Sequence, residues 1–267
     1  MTTLAHRRFE PAMLEQLVAS APEPASLTDD HRRSLAGRFR ALGTLEHRRL
    51  DAWSVERAGR ASDDFCWSAT TARRIIGNAG LRRATLAPGT SLLDAVRDEI
   101  ADQLVRAISG HARPGSLARW LGDAPNAVIG IVSAEALNWA VQLIECAETL
   151  ESPWSVAPSD AYYDVAGART TLRGRRDLLI EFDDRRVIVR VRAGAPGKSA
   201  GPGLRADLVV DALADPNGRA AARMIGVWPA AGVCLAVDAT MDDLRAGARD
   251  LVRTAVAQRR PRDARAA

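Results

Sequence analysis

The chain has 267 residues, 47% of them hydrophobic, and a formal charge of only +4 from 37 basic and 33 acidic side chains. That length suits one large domain or two small ones with a substantial core, and so slight a charge by itself says little about nucleic acid. Cys66, Cys146 and Cys234 form no CxxC pair, and with His6, His31, His47 and His111 they give no zinc spacing, which excludes a zinc module.

The odd cysteine count and the lack of a signal peptide point to a reducing cytoplasm. No uninterrupted apolar stretch reaches the roughly 18 residues needed to span a bilayer, so the expectation is a soluble chain with no membrane partner. Lys198 is the only lysine, leaving 36 arginines. Arginine forks suit phosphates and carboxylates, but arginine with abundant alanine equally fits the coding bias of a high-GC genome.

Residues 1–27 hold a short amphipathic stretch around Met13–Val18 and a loose Ala21-Pro22-Glu23-Pro24, and read as partly ordered. A helical region is expected over 28–133. Thr28-Asp29-Asp30 starts a helix carrying Leu35, Phe39 and Leu42, with the acids at the positive end of its dipole. A second helix is expected over about 45–56. Ser68 caps a helix over 69–78, and Ser91 caps a longer one through about Ile108. In that longer helix Leu92, Val96, Ile100, Leu104 and Ile108 mark one buried stripe. Pro114-Gly115-Ser116 restarts a short helix to about Leu121, and 127–150 reads as a core helix apolar on several faces.

From Ser152 the apolar runs become short, β-branched and glycine-punctuated. Strands are expected at 162–165, 169–173, 177–182, 187–192, 224–228 and 233–237, interrupted by a helix over about 204–214. Thr240 with Asp242 and Asp243 caps a closing helix to about Gln258, and an Arg-rich tail over 259–267 is expected to fray. The fold class is therefore mixed, α/β or α+β.

The most informative segment is Gly174-Arg175-Arg176-Asp177, leading into Leu178–Phe182, a two-acid turn, and Val187-Ile188-Val189-Arg190-Val191-Arg192 before Gly194. This hairpin resembles the catalytic hairpin of the PD-(D/E)XK nuclease superfamily, RecB-like branch. There an aspartate opens one strand and an acid-x-lysine triplet before a glycine closes the next. The element order over about 134–258 is similar to that core, and the resemblance implies a helical N-terminal half packed on a PD-(D/E)XK-like mixed sheet.

In that family the two acids hold one or two divalent cations, Mg²⁺ or Mn²⁺, which activate water and stabilise the phosphate, while the lysine steadies developing charge. Asp177 matches the first acid, Arg190 stands where the second belongs, and Arg192 where the lysine belongs. By resemblance the catalytic positions are thus Asp177 and Arg192. Residues i and i+2 of a strand share a face, so the acid-to-arginine exchange reverses a charge within metal-ligand distance. A unit pair at about 4 Å interacts by roughly 4 kcal/mol at an effective dielectric of ~20, before the doubled charge of the cation. The usual ligand set should not bind magnesium. In the next helix Asp207 and Asp211 stand where many RecB-like nucleases carry glutamine and tyrosine.

Three readings follow from the resemblance. The favoured one is a cytoplasmic, catalytically inactive nuclease-like protein with no cofactor. It would bind DNA or an acidic protein surface through Arg175, Arg176, Arg190 and Arg192. The second is a working Mg²⁺- or Mn²⁺-dependent DNA nuclease with displaced acids, its metal held by Asp177 and Glu181 or by migrated Asp164, Asp207 or Asp211. The third is a scaffold without nucleic-acid binding. The plain reading of Asp177 and Glu181 is a salt bridge across the hairpin to Arg190 or Arg192, contributing about 0.2–1 kcal/mol.

Other leads are weaker. Gly194-Ala195-Pro196-Gly197-Lys198-Ser199 has two residues between its glycines where a phosphate-binding loop needs four, and Ala200–Gly203 is expected to break any following helix. The basic helices within 28–60 carry eight arginines against five acids and could track a nucleic-acid backbone. The six tryptophans are scattered, as core residues are, and no small-molecule cofactor is indicated.

Overall fold

A computed structural model describes residues 1–23, 27–42, 48–51, 55, 67–167, 170–215 and 220–263. Two compact units emerge, one formed by residues 1–63 with 149–267 and the other by 64–148. This grouping differs from the division at 133/134 expected from composition. The cause is long-range pairing of the first 63 residues with the C-terminal strands and helices, which leaves no local trace in the sequence.

Within the segment expected to be partly ordered, two stretches form regular elements. Strand β1 (Thr2–Ala5) pairs antiparallel with residues 233–236. Helix α1 (Pro11–Ala19) starts with proline, whose missing amide costs nothing in a first turn, and buries Met13, Leu14, Leu17 and Val18. In α2 (Asp29–Phe39) the Thr28 hydroxyl accepts the His31 amide, and Leu35 and Phe39 face the core. The helix expected over 45–56 is corrected where it is described. Residues 48–51 form β2 (Arg48–Asp51), paired parallel with residues 170–173, and most of the rest of that span lies outside the described residues.

The second unit is helical. Ser68, Ser91 and Ser116 cap α3 (Ala69–Leu86), α4 (Leu92–Ile108) and α5 (Leu117–Gly122), each hydroxyl accepting the amide three residues on. The expected stripe of α4 is buried at Val96 and Ile100 but ends early, because Ile108 in the last turn is 86% exposed. Helix α6 (Asn126–Ala147) approaches α3 so closely that a Cβ on Gly77 would lie 2.6 Å from the Ala136 carbonyl oxygen. Inside that contact the Trp139 indole donates to Asn78 at 2.8 Å. With 22 residues and a hydropathy of 1.6, α6 is long and apolar enough to cross a bilayer by length and composition. That corrects the expectation that no segment qualifies: Glu135 and Glu145 break the uninterrupted run without making the helix polar.

The remaining strands are β3 (Trp154–Val156), β4 (Ala161–Asp164), β5 (Thr170–Gly174), β6 (Leu178–Phe182) and β7 (Arg185–Val191). Helix α7 (Ala200–Ala214), β8 (Arg223–Trp228), β9 (Val233–Asp238) and α8 (Met241–Asp263) complete the chain. A six-stranded mixed sheet runs β1-β9-β8-β7-β6-β3, and a smaller one runs β2-β5-β4. Only β7 and β8 are parallel in the larger sheet, and α7 makes the crossover such a pair requires. Asp183 and Asp184 carry the β6–β7 turn with φ of 44° and 62°, the left-handed pair that a two-residue hairpin needs and that aspartate tolerates.

Helix α7 begins at Ala200, four residues earlier than expected. Pro202 lies in the first turn, where amides have no intrahelical partner, and the Gly203 amide already donates to the Ser199 carbonyl at 3.0 Å, so this segment does not break the helix. Helix α8 continues past Gln258 to Asp263, into the segment expected to fray. The chain is a mixed α/β protein, and the core of this unit lies between the sheet and α2, α7 and α8. Leu35, Phe39, Ile188, Leu204, Leu208, Met224, Leu244 and Leu251 meet there.

Candidate functional site

Strand β7 turns Arg186, Ile188 and Arg190 to one face of the sheet, and the core assignment of Ile188 shows that this face meets α7. On α7, Asp207 and Asp211 are one turn apart in a helix whose only other charged residue is Arg205, and both are fully buried. Arg190 is 1% exposed and forms an ion pair with Asp207 through Nη1 and Oδ2. The other oxygen of Asp207 accepts the Arg175 backbone amide at 2.8 Å.

One turn further on, Asp211 lies between two guanidiniums. Arg176 Nη2 is 2.5 Å from Oδ1, Arg186 Nη2 is 2.9 Å from Oδ2, and the Ala221 amide donates to Oδ2 at 3.2 Å. Arg186 also reaches Asp215 at 3.1 Å. Burial by itself would lower the Arg186 pKa, but attraction to Asp211 and Asp215 outweighs it and raises it. Asp160, at the start of β4, adds a further acid. It holds Arg173 at 2.6 Å and accepts the Arg176 amide at 3.3 Å.

Gly174 makes the cluster sterically feasible. A Cβ there would lie 3.0 Å from the Asp207 carbonyl oxygen and from Val210 Cβ, so β5 can approach α7 only without a side chain. The two residues after Gly174 then reach α7, the Arg175 amide at Asp207 and the Arg176 side chain at Asp211.

The sequence-selected residues fall into distinct places. Asp177 is 1% exposed, and its Oδ2 accepts the Val191 amide of the next strand at 3.0 Å. Arg192, half-buried, stacks its guanidinium over the Trp228 ring at 6.0 Å and donates its amide to Val227. Arg175 and Arg176 are half-buried, the latter turned onto Asp211. Glu181 is exposed and pairs in register with Arg186. Four strand residues separate it from Asp177, about 13 Å at the usual rise, so the two do not share a cation. Nor does Glu181 form the cross-hairpin bridge to Arg190 or Arg192, because register puts it at the opposite end of the strand. The ion pair that Arg190 forms with Asp207 links strand to helix instead.

A divalent cation requires several oxygen ligands at about 2.0–2.6 Å. Here Asp207 faces Arg190, and Asp211 faces Arg176 and Arg186, so the charge a cation would supply is already furnished by guanidiniums. Among the described residues no three acids, histidines or cysteines converge as a metal-holding group. So paired, Asp207 and Asp211 are not open ligands for Mg²⁺ or Mn²⁺. What the arrangement does chemically is lock the β5–β6 connection and β7 to α7 through buried charge.

Asp160 and Asp215 escaped sequence reasoning. Their nearest sequence signal is position, at the start of one strand and at the C-cap of α7, and neither fits a catalytic pattern. In comparisons with known protein families and with curated proteins, the chain matches none of them.

Proposed function

We propose that this chain is a catalytically inactive relative of the PD-(D/E)XK nucleases, which acts by binding a nucleic acid or an acidic protein surface rather than by cutting. The observation that carries the reading is the Arg190 guanidinium. It stands on the strand where the second metal-binding acid of that family belongs, and it is held there by Asp207. The order of β6, the two-residue turn, β7, the α7 crossover, β8 and β9 supports the kinship half of the reading.

The inactivity follows from the charge balance. A cation brought beside Asp177 would meet the Arg190 guanidinium on the adjacent strand and compete with it for Asp207; a bare unit pair at ~4 Å interacts by roughly 4 kcal/mol at an effective dielectric of ~20, and the Asp207 carboxylate offsets part of that repulsion. The test is incubation of the purified chain with supercoiled plasmid and with single-stranded DNA in Mg²⁺ and in Mn²⁺, alongside melting curves over the same metal range. The expected result is intact DNA and an unchanged melting temperature, since a ligand of the native state would raise it. Cleavage abolished by Asp177→Ala would overturn the reading and establish a nuclease with displaced ligands.

A further inference from the structure

The arginines around Asp207 and Asp211 are occupied with buried carboxylates, which leaves the question of where a polyanion could bind. The exposed alternative lies where α2 packs against α8. Arg38 of α2 and Asp242, Arg245 and Arg249 of α8 line a groove whose described lining residues are all charged. Arg38 and Arg249 are exposed, and their side chains make no ion pair or hydrogen bond among the described residues. Arg245 touches Asp242 only at 3.5 Å. Asp243, the neighbouring acid, is spent on Arg205 at 3.0 Å.

The basic row continues along the helix. Arg245, Arg249 and Arg253 recur every fourth residue, about 6 Å apart on one exposed face. Charge along the sequence is just as lopsided. Residues 249–267 contain six arginines and two aspartates, a surplus of four that equals the surplus of the entire chain. Everything before residue 249 is balanced overall, and the helix lining the groove leads into a basic segment.

We propose that the α2–α8 groove and the exposed arginine row of α8 form a binding surface for the sugar–phosphate backbone of a nucleic acid. Guanidinium forks match phosphate oxygens, and a row of them about 6 Å apart can engage alternate phosphates of a strand whose charges recur every ~3.4 Å of duplex axis. The described lining residues offer neither an aromatic stacking platform nor an amide that would read a base edge. Contact is therefore to the backbone and independent of base sequence. The proposal deepens the binding half of the reading above and moves the interface from the hairpin to the helices.

The test is fluorescence anisotropy with a fluorescein-labelled mixed-sequence DNA duplex of about 20 base pairs. It compares the full chain, Arg38→Glu/Arg245→Glu/Arg249→Glu, the milder Arg38→Gln/Arg249→Gln, and a control, Arg97→Glu/Arg106→Glu, with exposed arginines changed on α4. Binding should weaken with salt at a logarithmic slope near −3, as about three to four neutralised phosphates require. The triple reversal should lose at least tenfold in affinity and the double neutralisation severalfold, with melting temperatures preserved, while the control binds as the parent does. Binding that both groove variants leave unchanged overturns the groove and spares the binding reading. No binding at 50 mM salt overturns both. Displacement of the duplex by polyglutamate at equal charge concentration overturns the assignment to nucleic acid and points to an acidic protein.

Discussion

Replacing Arg190 by methionine tests whether the cation on β7 is structural. The substitution keeps much of the aliphatic volume and removes the charge, leaving Asp207 fully buried with the Arg175 amide as its remaining described partner. A salt bridge between exposed side chains is worth about 0–1 kcal/mol, whereas breaking a buried one costs about 3–5 kcal/mol because an uncompensated charge stays behind. At 1% and 0% exposure this pair belongs to the second class. For a cooperative unit of roughly 180 residues each kcal/mol moves the melting temperature by about 2–4 °C, so a drop of roughly 6–20 °C is expected. Asp207→Asn keeps an oxygen for the Arg175 amide while removing the charge. The double variant Arg190→Met/Asp207→Asn should therefore recover most of the loss, with a coupling of about 2 kcal/mol or more. Urea and thermal unfolding followed by circular dichroism would measure all four corners of the cycle. A single variant within about 1 kcal/mol of the parent, or an additive cycle, would refute the claim that this pair holds β7 to α7.

Other substitutions separate close packing from open space. Gly174→Ala should destabilise by about 1–3 kcal/mol in urea titration, because its methyl meets the α7 backbone at 3.0 Å. Gly130→Ala, in the exposed first half of α6 with nothing within 4 Å, should stabilise by up to about 1 kcal/mol through helix propensity. Burial pushes the Cys234 thiol up to about 12. Between about pH 9, where the unfolded thiol ionises, and that value, the unfolded state loses a proton that the native state keeps, so stability falls as pH rises. Cys234→Ala should flatten that part of the profile. In a Cys66→Ser background, Cys146 and Cys234, both buried, should react with a thiol reagent at pH 8 only after unfolding.

Features encoded within a few residues were legible from the sequence. The Thr28, Ser68, Ser91 and Ser116 caps, the helices they start and the Asp183-Asp184 turn rest on contacts three or four positions apart. Asp177 and the triplet of Arg190 to Arg192 also stood out, because strand alternation puts Arg190 and Arg192 on one face in any tertiary context. What Arg190 does with that face was decided elsewhere. Its partner Asp207 lies on a helix reached through a crossover, and until β5 approaches at Gly174 nothing local distinguishes a metal-poised carboxylate from one half of a buried ion pair. The strand at 48–51 likewise owes its existence to residues 170–173, and β1 owes its own to β9. A backbone amide carries no preference for one distant carbonyl over another. Side-chain periodicity therefore determined which segments could be elements, and only the packed chain determined which of them met and which charges were neutralised.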